Sequence, residues 1–138
     1  MFQGRNTLIC TQEYYESRGK SQVDYIQTLI AVELTKAQLP IFVIEPEGFL
    51  NSLFGMDIDF SAHPNFSKRY KLYGPNEAHI RQFFTDKILS YYEQQPTFST
   101  IGGGKYLVIY QHNVLLKPKQ IINSLNFMGN LANLFSAR

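Results

Sequence analysis

Residues 57–66 read DIDFSAHPNF, a run whose residue types could do chemistry. Asp57 and Asp59 flank one isoleucine, and His63 follows four positions later. In extended chain, residues two apart project to the same side. The two carboxylates could then share a divalent cation, with His63 supplying a nitrogen ligand. The same composition has a plainer use, because Asp, Ser, His-Pro and Asn form turns and bond to irregular backbone through their side chains. Ser61 or Asn65 is also placed to start a short helical turn before FSKRY. No EF-hand, HExxH or paired CxxC spacing accompanies the aspartates. The turn reading is preferred, with Asp57, Asp59 and His63 kept as candidate metal ligands and no cofactor expected.

Other reactive types are more scattered. The run Gly102-Gly103-Gly104-Lys105 lacks the GxxxxGK[ST] spacing of a phosphate loop and precedes a strand-like segment, so it reads as a hairpin connection. Glu45 and Glu47 flank Pro46 at a strand end, where acidic residues are expected to be solvated, and no nucleophile is spaced beside them. His79 and His112 have no partner that would complete a Ser-His-Asp or Cys-His arrangement. Lys68, Arg69 and Lys71, interleaved with Tyr70 near Tyr73, form a small basic cluster. It is a candidate surface for an acidic partner or lipid headgroups, weighed against an ordinary solvated face. Cys10, the single cysteine, excludes an internal disulfide, fits a reducing compartment and is expected to be a buried structural thiol.

The elements that must position these residues follow from periodicity. TLICTQEYYES and SQVDYIQTLIAVEL alternate around RGK and predict a hairpin with Gly19 in its loop. Pro40 is expected to close the next connection, IFVIEP to be a strand stopped by Pro46, and RYKLYG to be a short strand. After Gly74-Pro75, Ile80, Phe83, Phe84, Ile88 and Tyr91 recur at helical spacing, predicting one helix that Pro96 ends. TFSTI and KYLVIYQ form a second hairpin. Pro118 starts a last helix whose stripe is Ile121, Ile122, Leu125, Met128, Leu131, Ala132 and Phe135. The expected fold is a single α+β domain over residues 1–138, with a bent, mainly antiparallel sheet of about six strands packed by two amphipathic helices. A formal net charge of +2 argues against nucleic acid as a partner. The apolar runs are far short of the ~20 residues that span a bilayer. No signal peptide is expected from MFQGRNTLIC.

The residues P-E-G, the pattern D-I-D-F-x-x-H-P-x-F-S-x-x-Y and the helix start G-P-x-E, spanning roughly residues 39–135, resemble a family of uncharacterised bacterial proteins. In that family a soluble domain commonly follows predicted membrane-spanning helices. The resemblance implies architecture and a setting near a membrane, through segments that this chain lacks, but no activity. Three functional classes remain open at this point. The preferred one is a non-catalytic cytosolic domain that binds an unknown protein partner, self-associates, or assembles at the cytoplasmic face of a membrane. The second is a small-molecule or metal-binding sensor using Asp57, Asp59 and His63. The third is a hydrolytic enzyme built on the same three residues.

Overall fold

The computed structural model describes Phe2 and residues 4–46, 57–95 and 97–136. β1 (Thr7–Arg18) and β2 (Ser21–Glu33) form a long antiparallel hairpin, and β3 (Leu39–Pro46) follows. A short helix α1 (Pro64–Arg69) runs directly into β4 (Tyr70–Tyr73). α2 (Glu77–Phe83) and α3 (Asp86–Gln94) lead to the hairpin of β5 (Ser99–Gly104) and β6 (Tyr106–Tyr110), and α4 (Pro118–Ser136) ends the described chain. The six strands make one open antiparallel sheet in the order β1-β2-β6-β5-β3-β4. The α+β expectation stands.

Both hairpins turn on the same dipeptide. Arg18 pairs with Ser21 and Gly103 with Tyr106, leaving Gly19-Lys20 and Gly104-Lys105 as two-residue connections. The glycines take φ of 64° and 59° at the first turn position, where a two-residue hairpin with glycine first needs the left-handed region. Gly102 serves packing instead, since a Cβ there would stand 2.2 Å from the Phe42 ring. Pro40 corrects the expectation that it closes a connection. It lies inside β3, where the β3–β5 register shifts by one residue between Leu39 and Phe42, and such a bulge tolerates a residue without an N–H.

The apolar spacing predicts one helix between Pro75 and Pro96, and the chain makes two. Phe84 leaves helical geometry, and Thr85 restarts the helix by accepting the Ile88 N–H on its hydroxyl. Asn76 caps α2 in the same way through the His79 N–H. The break lets Phe83 and Phe84 both turn inward, and each ring meets Phe135 of α4. Pro96 lies outside the described residues. In α4 the buried arc is Ser124, Phe127, Met128, Leu131, Ala132 and Phe135, while Leu125 is only partly covered and Ile122 is exposed.

The alternation of each strand sends one set of side chains into this helix layer. Ile30, Val32, Phe42, Ile44, Leu72, Leu107 and Ile109 pack with Phe66, Ile80, Phe84, Ile88, Leu89, Phe127, Leu131 and Phe135 in a single core. The opposite set faces away from the core.

Candidate functional site

The DIDFSAHP run is a sheet-edge device joined to a helix start. The Ile58 N–H donates to the Leu72 carbonyl at 2.8 Å, and the Leu72 N–H donates to Asp57 Oδ1 at 2.9 Å. Asp57 thus completes, by its side chain, the backbone pairing that would otherwise leave the outer edge of β4 open. Ile58 is buried behind it, whereas Phe60 is only partly covered, against Phe66, Phe84 and the Arg81 guanidinium. Asp59 is exposed, and its carbonyl rather than its carboxylate is held, by Arg81. Neither Ser61 nor Asn65 caps α1. His63 occupies that position without a side-chain cap, and Pro64 opens the helix.

His63 is turned to α3 instead. Its Nδ1 lies 3.0 Å from Glu93 Oε1 and its Nε2 2.9 Å from Asp86 Oδ1, so the ring donates on both sides when it is protonated. Glu93 also accepts the Phe66 N–H, which binds the first turn of α1 to α3 through one carboxylate. The ring nitrogens are therefore both engaged by carboxylates of α3, whereas Asp57 is bonded to β4 and Asp59 is exposed. Among the described residues no three His, Cys, Asp or Glu side chains gather as a metal ion requires.

Two expected outcomes follow from this geometry. Asp57→Ala should lower stability by about 1 kcal/mol, as for a lost cap, while Asp59→Ala should stay within about 0.5 kcal/mol of the parent. Urea titrations of the two variants check it, and equal losses would remove the distinction. For His63, the hydrogen bonds to Glu93 and then Asp86 raise the pKa above its ordinary 6.5. A raised folded-state value means that the stabilisation is complete below the unfolded-state pKa and is lost as pH rises through the folded-state value. The melting temperature should accordingly fall on raising pH upward from 6.5, and His63→Gln should flatten that dependence. A parent and a variant with parallel pH profiles would refute it.

The basic cluster is split by the fold. Arg69 does not offer its charge outward. Its Nη1 donates to the carbonyls of Tyr92 and Glu93, and its Nη2 to the Gln95 carbonyl and the Thr97 hydroxyl, at 2.6–3.3 Å. The planar fork matches the carbonyls left open at the end of α3 and the negative end of its dipole. Lys68 remains exposed and Lys71 sits on β4 opposite Glu45, so the three do not form one cationic surface.

Glu45 is where expectation and structure part most clearly. Its place at a strand end beside Pro46 predicts solvation, yet it is only 7% exposed. Ser99 Oγ donates to one carboxylate oxygen and the Tyr110 hydroxyl to the other. Burial, followed by this bond to Glu45, raises the Tyr110 pKa strongly, so the phenol stays a donor throughout the physiological range. Ser99 pairs with Tyr110 across β5–β6, and β3 lies beside β5, so register alone assembles the cluster. No spacing in the chain signals it, because its members are 54 and 65 residues apart. Glu47 lies outside the described residues. Cys10 also departs from expectation: it is exposed, being on the outer strand β1 with its side chain on the face away from the core.

The sheet face away from the core carries one continuous row. Register aligns Leu8, Ala31, Val108, Ile101, Val43 and Tyr73 across all six strands. Beside the row stand Ile41 and Tyr106, and Leu8, Ile41, Ile101 and Tyr106 are 41–65% exposed. An antiparallel sheet in water normally presents polar residues on its second face. Here four large apolar side chains, Leu8, Ile41, Ile101 and Tyr106, are left in solvent on one surface.

No protein-family model matches the chain, and no curated protein matches it. Among solved structures, the crystal structure of the mycobacterial trehalose monomycolate transport factor A, TtfA, is similar over 88% of this chain and 71% of that one. The TM-score is 0.57 at 8% sequence identity, which establishes a shared fold and nothing finer. Among the described residues no helix is long and apolar enough to cross a membrane.

Proposed function

We propose that this chain is a non-catalytic binding domain that docks a protein partner on the core-free face of its sheet, at the cytoplasmic side of a membrane. The observation that carries the reading is the apolar row from Leu8 to Tyr73 with Ile41, Ile101 and Tyr106 in solvent. A partner with an apolar, weakly charged surface fits it, since the row itself contains no charged residue. The membrane setting rests on the resemblance to bacterial proteins in which such a domain follows membrane helices. That a protein of the same fold is named a transport factor is in keeping with a role that needs no catalysis. The groups best suited to catalysis, Glu45, Ser99 and Tyr110, are buried and already bonded to one another.

Site-specific photo-crosslinking in cells tests this. A benzophenone residue at position 101 should give a discrete adduct in the membrane fraction that is lost when Tyr106→Glu is added, and one at exposed Lys119 on α4 should not give it. Adducts that are absent at 101, or identical at both positions, would defeat the docking face. Adducts confined to the cytosol would defeat the membrane setting alone.

A further inference from the structure

A cleft between α3, α4 and the loop after β6 gathers side-chain carboxamides. Its volume is about 370 Å³, at the small end for ligand pockets, and it is lined by Gln95, Gln111, Gln120, Asn123, Asn126 and Asn130 around Tyr91, Phe98 and Phe127. Nineteen of the 138 residues are Asn or Gln, and six of them meet in this one place. Among the described residues no acidic or basic side chain lines it.

The elements explain how the carboxamides come together. Gln120, Asn123, Asn126 and Asn130 fall within about a third of the circumference of α4, beside the arc that carries Phe127 into the core. The opposite wall is fixed from β2. Thr28 N–H donates to the Val114 carbonyl, Asn113 N–H to Gln27 Oε1 and Leu116 N–H to the Thr28 hydroxyl. Those bonds hold the loop that presents Gln111, whose Nε2 is anchored on the Thr97 carbonyl. The floor is a stack of rings, with Phe98 and Tyr91 on Phe127 at centroid distances of 4.6 and 5.4 Å. Tyr91 is the partly exposed member, and its hydroxyl is held by the Phe127 carbonyl.

We infer that this cleft binds an uncharged polyhydroxy ligand, a neutral mono- or disaccharide unit, with its hydroxyls on the carboxamides and a C–H face toward the rings. Each carboxamide offers one acceptor and two donors, which matches hydroxyls that both donate and accept. A charged ligand would be desolvated there without a counter-charge, which is costly. An extended peptide would need a free strand edge for its backbone, and the walls are helix and loop. The site is separate from the sheet face and does not depend on the docking reading.

The test is a two-dimensional amide spectrum of the ¹⁵N-labelled protein, titrated with maltose, cellobiose and N,N′-diacetylchitobiose. Glucuronate and N-acetyl-Gly-Gly-amide serve as charged and peptide comparisons. At least one neutral sugar should give saturable shifts at the Gln95, Asn123, Asn126 and Asn130 side-chain amides, with a Kd on the order of 1 mM. Asn123 and Asn126 are exposed, so Asn123→Leu with Asn126→Leu should keep the remaining spectrum and weaken binding tenfold or more. Absence of shifts with all three sugars, shifts outside the cleft, binding indifferent to the double variant, or preference for the peptide amide would each overturn the assignment.

Discussion

Phe84→Ala should cost about 3–5 kcal/mol, the range for emptying an aromatic site in a packed core. Phe84 is 3% exposed and sits where sheet, α2 and α4 converge. Its ring meets Phe42 of β3 edge-on at 5.0 Å and Phe135 of α4 edge-on at 5.5 Å. The ring of Phe42 is itself confined, because it lies over Gly102 with no room for even a Cβ. A cavity at 84 therefore cannot be closed by Phe42 moving freely, and incomplete collapse favours the upper part of the range. For a domain of this length the expected fall in melting temperature is about 10–15 °C. A melt indistinguishable from the parent would mean that the helix layer does not pack on the sheet through this residue.

Arg69→Ala should be nearly as damaging, at about 2–3 kcal/mol, although sequence places this residue in a surface cluster. Truncation leaves the carbonyls of Glu93 and Gln95 without their donor and that of Tyr92 with only the long Gln95 N–H bond of 3.4 Å, at the end of a helix whose last turn contains no basic residue. Arg69→Lys should recover less than half of the loss, since one ammonium cannot span positions reached by two guanidinium nitrogens. Chemical denaturation of both variants, with binding to anionic vesicles measured alongside, separates the two roles. Unchanged stability with lost vesicle binding would restore the reading of Lys68, Arg69 and Lys71 as a lipid surface.

What the sequence by itself determined was local. The two hairpins were legible because period-two alternation and a Gly-Lys turn act over neighbouring residues, and α4 because its apolar arc repeats over nineteen residues. The split between α2 and α3 was also written locally, in Thr85-Asp86, but an unbroken apolar spacing through Phe83, Phe84 and Ile88 hides a single capping residue. The DIDFSAHP run was recognisable as irregular chain with bonding side chains. That Asp57 rather than Asp59 does the bonding depends on which of them meets β4.

Only the tertiary structure decided the rest. Whether Glu45 is solvated depends on Ser99 and Tyr110 arriving beside it, and that follows from the order in which six strands pair. Arg69 turns inward because the end of α3 needs donors, a demand invisible from its own neighbours in sequence. The apolar row and the carboxamide cleft are likewise products of register and helix placement. Periodicity records which side of an element is apolar, but strand order and helix docking choose the residues that share a surface, through contacts between segments far apart in the chain.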